Sequence, residues 1–314
     1  MVNIKKISEV TGYSKSTISR FINKTGYVSE NASQIIQQAI TTLDYTPNSL
    51  ARNLSKGVSS QIGVVIPHMS SPFFIQTISG IMEEAYLSEY SILILQSKYD
   101  KDEEYSYLEK LHSKELAALI FTSHSLTLEE ILRYRKYGSI VVCEDVKNMP
   151  ISSAFTSREK AYVKAFELIK HKGFKHIAIM LSRDYYSSVT SQLTIDCYEK
   201  VFGLIPEHSL ISTNITTFED GYAAGKKYAN LIQKPDYIFA NSDDVAAGVS
   251  QAYVDAGLHL PEMMGQENQV SGFLLNISTI DHHFKELGQA AFQLALKNDC
   301  DHIMINSEVM NRNL

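Results

Sequence analysis

Residues 2–30, VNIKKISEVTGYSKSTISRFINKTGYVSE, decide how the chain begins. Ile4, Ile7 and Val10 recur at helical spacing, Gly12 breaks the pattern, and Ser14 is a residue type that caps helix N-termini. The spacing predicts two short helices joined by a tight turn. In the second, Ile18, Phe21 and Ile22 share an apolar side, while Lys15 with Ser19 and Ser16 with Arg20 stack four apart on the opposite side. A helix-turn-helix needs such a short, basic, hydroxyl-rich face, because its first turns present donors to base edges while Ser and Thr grip phosphates. Arg20 could fork onto a guanine. A third helix is expected from Ser29, with Ala32, Ile35, Ile36, Ala39, Ile40 and Leu43 turned inward. A solvated helix face in any small bundle accounts for the same residues.

Residues 46–57, TPNSLARNLSKG, follow Tyr45. Thr46 is a candidate cap, Pro47 suits a first helical turn, and the run to Leu54 is helix-prone but under three turns long. Helices this short are marginal alone in water. Leu54 would then be an apolar wedge for a minor-groove base step; an ordinary interdomain linker fits as well. Residues 1–57 hold seven basic and three acidic side chains, net +4, so the chain total of -6 leaves -10 for the remainder. A basic head on an acidic body is expected if only the head meets a polyanion.

Beyond SKGVSSQ the rhythm changes to apolar runs, IGVVIP, SILILQ, ALIFT and IVVCE, then HIAIML and YIFAN, separated by amphipathic stretches. This alternation indicates parallel sheets covered on both faces. Four of the runs precede about residue 157, which predicts two doubly wound lobes rather than one wide sheet. Ligands of such sheets bind beyond the C-terminal ends of the strands.

Other classes find little footing. Cys143, Cys197 and Cys300 lie far apart, without disulfide-framework or metal-ligand spacing, and read as packing residues in a reducing cytoplasm. No run approaches the ~18 apolar residues of a spanning helix, so secretion and membrane insertion are disfavoured. There is no GxSxG elbow, Gly-rich phosphate cradle or HExxH helix, and the adjacent His282 and His283 project differently on any regular element. Neither an enzyme nor a bound cofactor or metal is expected.

The segments GYSKSTISRFINKTGYVSE, LDYTPNSLARNL and IGVVIPHMSSPFF, in that order, resemble the lactose-repressor and galactose-repressor (LacI/GalR) family of bacterial transcription regulators; NSDDVAAG and LLNISTIDHHFKELGQAAF extend the likeness more loosely to nearly the whole chain. The resemblance implies a homodimer whose paired hinge helices fold on a pseudo-palindromic, double-stranded operator under the control of a sugar-sensing body. It makes Lys15, Ser16 and Arg20 base readers, Thr17 a phosphate contact and Leu54 the minor-groove leucine. It also implies a helix-turn-helix head at 1–46, a hinge helix and linker at 47–61, an N-lobe of 62–157 with 281–302, and a C-lobe of 158–280 with 303–314. The lobes would be similar to periplasmic sugar-binding proteins. A dimer rather than a tetramer is expected, since little chain follows the last body elements.

The ligand site follows from the strand ends. Phe73 and Phe74 sit at a strand-to-helix corner, where a ring could stack on a sugar or simply begin a buried helix; the family's ligand-facing position falls on them. After YIFAN, Ser242, Asp243 and Asp244 could bond ligand hydroxyls or cap a helix. By resemblance, Glu267 takes the place of an effector-binding aspartate, and Thr194 falls where many relatives carry an arginine, with Gln192 nearby. A neutral sugar is expected on that ground, although Arg158, Lys160 or Arg183 could supply charge. Phe218 is a further aromatic candidate. The expected function is repression of a carbohydrate-utilisation operon, controlled by a small sugar between two lobes. The alternatives are a catabolite regulator of the same family gated by a phosphocarrier protein, and a stand-alone sugar-binding protein, which would have no use for a basic head.

Overall fold

A computed structural model describes residues 3–45, 59–69, 71–186, 188–297 and 299–312. The expected hinge helix and Leu54 lie outside the described residues. The chain divides into two compact units, Met1–Ser59 and Ser60–Leu314.

In the first unit, α1 (Ile4–Thr11), α2 (Lys15–Asn23) and α3 (Glu30–Thr42) close on a core of Ile7, Ile18 and Ile36, all fully buried. Side chains of Asn3, Ser14 and Ser29 cap the three helices by accepting from Lys6, Thr17 and Ala32 amides. Gly12, at φ 73°, ends α1 in the left-handed conformation that the tight turn requires. Val10 and Ile35 do not join the core; they are 56% and 38% exposed. At 100° per residue Val10 stands about 120° round the helix from Ile4, and Ile35 about 100° from the buried Ile36.

The second unit contains two six-stranded sheets. Strands β1 (Gln61–Ile66), β2 (Ser91–Gln96), β3 (Ala118–Phe121), β4 (Ser139–Val142), β5 (Ser152–Ser157) and β11 (His302–Asn306) form the first, in the order β11-β5-β4-β3-β1-β2, all parallel. Strands β6 (Ile177–Met180), β7 (Ile211–Ser212), β8 (Tyr237–Phe239), β9 (Glu262–Gln266), β10 (Ser278–Asp281) and β12 (Glu308–Met310) form the second, in the order β12-β10-β9-β8-β6-β7, with β12 antiparallel to β10. The first sheet packs α4 (Pro72–Tyr86) and α12 (Phe284–Ala295) on one face, α5 (Lys101–His112) and α6 (Leu128–Leu132) on the other. Along β1, Ile62, Val64 and Ile66 enter the first of these cores and Val65 the second, as strand alternation requires. The second sheet lies between α7 (Glu159–His171) with α8 (Val189–Phe202) and α9 (Phe218–Ala229) with α10 (Asp243–Asp255). Short α11 (Val270–Leu274) follows β9.

The chain passes between sheets three times: at Arg158 after β5, at His282 and His283 after β10, and at Ser307 between β11 and β12. The last passage falls after Asn306, not after residue 302 as the sequence reading had it, because His302–Asn306 pair in register with β5. His282 is 1% exposed and joins these segments: its Nε2–H donates to Gln266 Oε1 (3.0 Å) and its Nδ1 accepts from the Ser307 hydroxyl (2.8 Å). Tyr162, in the first turn of α7, donates to the same Gln266 oxygen (2.9 Å), while Gln266 Nε2 donates to the Ala240 carbonyl (3.0 Å). Burial holds the imidazole well below its ordinary 6.5, helped by the charges of Arg158 and His283, so it stays neutral.

Of the three cysteines, Cys197 is buried and Cys143 half-buried, but Cys300 is exposed and so is not a packing residue. No described helix is long and apolar enough to cross a membrane.

Candidate functional site

Two surfaces gather the residues singled out by sequence. The first is α2. Its buried side is Ile18; Ser16 and Arg20 stand about 160° round the helix from it and Lys15 about 60°, and all three are exposed. Ser14 Oγ, besides capping the helix, lies 2.8 Å from Ser16 Oγ and 2.9 Å from Thr17 Oγ1, so the hydroxyls form one connected group at the helix N-terminus. Anions are favoured there by the helix dipole and free N–H groups. Among the described candidates, the face thus combines phosphate-type donors with one long guanidinium, Arg20.

The second is a cavity of about 450 Å³ in the body. Residues just past the C-terminal ends of strands from both sheets line it, among them Thr122, Arg158, Leu181, Asn241 and Glu267. Doubly wound sheets open such a crevice because each strand end turns away into its helix, leaving loop residues and helix N-termini pointed at a common space. Gln76, on α4, donates from Nε2 to the Glu267 carbonyl (3.0 Å), a direct bond between elements of the two sheets.

Phe73 and Phe74 both line the cavity. Phe73 meets the Phe284 ring edge-on (4.8 Å), whereas Phe74 is only 5% exposed and belongs largely to the core beneath, edge-on to His68 at 5.0 Å. Thr194 lines the cavity too, with its hydroxyl donating back to the Thr190 carbonyl (3.1 Å). Gln192 faces elsewhere and bonds Asp196. Ser242 reaches the cavity while capping α10 through the Val245 amide (3.2 Å). Phe218 opens α9, 41% exposed and apart from the cavity lining.

Asp243 is a correction: it does not face the cavity. Its fully buried carboxyl accepts from Thr279 Oγ1 and the Gln269 amide, both at 2.7 Å, and Gly265 and Gly272 approach it so closely that a Cβ on either would sit 2.1 and 2.4 Å from its oxygens. The helix start offered the right residue type, but the side chain turns inward to bind β10. Burial raises it to about 6, against those two hydrogen bonds and the nearby Arg312.

Glu267 does face the cavity, from a backbone at φ 81° followed by Asn268 at φ 48°. Two successive non-glycine residues in the left-handed region are uncommon and mark a locally constrained turn. Its Oε2 has no hydrogen-bond partner. Burial raises the carboxyl to about 8, with Arg158 opposing and Asp243 and Asp244 reinforcing. On the other wall, His124 Nε2 lies 3.3 Å from Glu144 Oε1; burial works against the imidazolium, yet the bond to Glu144 raises its pKa. Glu104, fully buried on α5, holds this wall by accepting from the Ser125 and Leu126 amides at 2.9 to 3.0 Å. Sequence reading passed over His124, Glu144, Tyr162 and Gln266. Position soon after a strand was the available signal for His124 and Glu144; Gln266 ends β9 itself and Tyr162 lies in the first turn of α7. Of the three cations considered, Arg158 and Arg183 line the cavity and Lys160 does not.

Residues 59–305 match the family described as periplasmic binding proteins and sugar binding domain of LacI family, and residues 3–48 match bacterial regulatory proteins, lacI family. The chain belongs to the LacI family. It is therefore a DNA-binding transcriptional regulator with a body of the periplasmic-binding-protein type. Among relatives of this LacI-family regulator, catabolite control protein B of Bacillus subtilis (strain 168) is 32% identical over 299 residues, covering 95% of this chain and 96% of that protein. The sucrose operon repressor of Streptococcus mutans serotype c (strain ATCC 700610 / UA159) is 26% identical over 310 residues, covering 95% and 92%. In fold, the LacI-family chain is similar to the lac repressor dimer bound to operator and the anti-inducer ONPF, with a TM-score of 0.83 at 19% identity over 99% of this chain and 98% of that one.

Proposed function

We propose that this regulator represses a carbohydrate-utilisation operon from the cytoplasm, as a homodimer on a near-symmetric operator, and that a small sugar in the body cavity sets whether it stays bound. The observation that carries the reading is the cavity itself: hydroxyls, aromatic edges, a guanidinium and a carboxyl converge at the strand ends of two sheets, in the same chain as the exposed Lys15, Ser16 and Arg20 of α2. Such a mixture of apolar rings and a few polar groups suits a polyhydroxylated ligand. The S. mutans relative, a sucrose operon repressor by name, supports the same reading. Function by binding and release, rather than catalysis, is part of the proposal.

In this reading Lys15, Ser16 and Arg20 meet base edges, Thr17 a phosphate and Leu54 the minor groove, while Phe73, Thr194, Ser242 and Glu267 meet the sugar. Dimerisation is supported by apolar side chains left outside: Ile75, Met82 and Tyr86 recur along α4 at 50%, 49% and 89% exposure, beside the edge strand β2 with Leu93 and Ile94. Sugar binding would favour one orientation of the lobes and so change the spacing of the two linkers in the dimer. A coupling of about 1 to 3 kcal/mol changes operator affinity roughly 5 to 150 fold.

The test is a gel shift with the gene's own upstream DNA, repeated with neutral sugars, phosphorylated sugars and glycosides. Specific retention that at least one sugar alters is expected; equal retention of random and upstream DNA refutes the operator reading. Similarity to catabolite control protein B supports a second reading, in which a phosphorylated carrier protein gates the regulator. Operator release by sugar alone excludes it.

A further inference from the structure

Among the unpaired groups of the cavity, which include Asn241 Oδ1, two are of opposite type, Arg158 and Glu267. Arg158, at the first passage between the sheets, donates from Nε to Thr156 Oγ1 (3.3 Å) and places its guanidinium 5.5 Å from the Phe284 ring centroid. Among the described residues, its two terminal nitrogens have no hydrogen-bond acceptor and no carboxylate within 4.0 Å. Glu267 is close enough to feel Arg158 electrostatically, but the two form no ion pair, and Glu267 Oε2 is buried without a partner. The other carboxylate of the cavity, Glu144, lies 3.3 Å from His124 Nε2. Thr194 has its hydroxyl hydrogen committed to the Thr190 carbonyl.

Arg158, at the crossover, therefore offers the cavity open guanidinium donors that Thr194 does not. A guanidinium is planar, and one resting over an aromatic ring presents a fork that can take two oxygens of one acid group at once. Because burial keeps Glu267 protonated around neutral pH, it does not neutralise that fork; it is left to exchange hydrogen bonds with ligand hydroxyls. Arg183 stands on the same cavity and adds to the positive field.

We propose that Arg158 anchors an acid group, a phosphate or a carboxylate, on a sugar whose ring hydroxyls meet Glu267, so that the cavity selects acidic over neutral sugars. This replaces the neutral ligand expected from Thr194 and rests on the reading of the cavity as the sugar site. Since Arg158 is itself the crossover residue, the same contact fixes the first strand between the lobes when ligand is present.

Calorimetric titration of the full-length protein with glucose, glucuronate, glucose 6-phosphate, fructose and fructose 6-phosphate tests it, alongside Arg158→Met and Arg158→Lys. A charge-assisted pair predicts that the acidic sugars bind wild type at least about tenfold tighter than their neutral counterparts. Arg158→Met removes that preference; Arg158→Lys keeps part of it. The glucuronate and glucose 6-phosphate arms separate carboxylate from phosphate. Neutral sugars binding as tightly as acidic ones, or a preference that survives Arg158→Met, overturns this proposal alone. If wild type binds its operator but none of the five sugars, the sugar-gated reading falls and takes this one with it.

Discussion

Replacing Glu267 by Gln keeps the outline of the side chain and removes its titration. Burial raises the carboxyl from 4.5 to about 8, so between those values the folded protein holds a proton that the unfolded chain has released. Stability of the wild type must then fall as pH rises through that window, because folding carries proton uptake there. Each pH unit is worth about 1.4 kcal/mol for a fully shifted group. With water reaching the outer part of this half-buried residue, we expect Glu267→Gln to be about 2 to 3 kcal/mol more stable than wild type at neutral pH, with the gap closing toward pH 5. Asp243, itself raised to about 6, acts in the same direction in both proteins and cancels in the difference. Urea unfolding of ligand-free, full-length protein at pH 5, 6, 7 and 8, followed by circular dichroism, reads the effect. A gap that stays constant over that range would mean that Glu267 titrates as an ordinary carboxyl and that the cavity is wetter than its geometry implies.

Three further outcomes follow from the packing. Gly288→Ala would put a Cβ 2.0 Å from the Thr77 carbonyl oxygen, and Gly80 makes the reciprocal approach to Lys285, so α4 and α12 must separate at a cost of about 1 to 3 kcal/mol; an unchanged urea midpoint would show that the helices part freely. Glu104→Gln turns a carboxylate oxygen facing backbone N–H donors into an amide, which should cost about 1.5 to 3 kcal/mol and speed hydrogen exchange at Ser125 and Leu126; exchange that stays slow contradicts the anchoring role. His282→Phe removes the bonds to Gln266 and Ser307 and should cost about 1 to 3 kcal/mol at pH 7.5. The cost should shrink at pH 5.5, because below about 6.5 the unfolded wild type takes up a proton that folded His282 refuses; a cost that grows on acidification would mean the imidazole is charged.

How far the sequence could be read depended on where each strand satisfies its polar groups. Strands β1, β3, β4, β6 and β8 are apolar runs because both faces are covered, and each stood out; β2 stood out as well, although it is an edge strand whose Leu93 and Ile94 are exposed. Strand β5, SSAFTS, did not: its buried Ser152 hydroxyl donates to the Asp299 carbonyl (2.6 Å), a partner far away in sequence. Strand β10 escaped similarly, since Thr279 and Ser278 bond Asp243 and Asn311. In the site, strand-end position singled out Phe73 and Ser242 because the fold aims whatever follows a strand at the crevice, while Glu267 came from the family resemblance. Position alone does not say which way a side chain turns, and Asp243 turned inward. Arg158 was legible only as a possible charge, because its open fork depends on Phe284, more than a hundred residues later.

The last two strands, separated by Ser307 alone, close opposite sheets: β11 completes the first beside β5, and β12 the second beside β10. During synthesis β5 and β10, interior strands of the finished sheets, therefore stand as unpaired edges of the kind that recruits stray strands until residues 302–310 leave the ribosome. The body cannot be finished lobe by lobe as it emerges, and a nascent chain stalled shortly before residue 302 would present two sticky margins instead of one finished half.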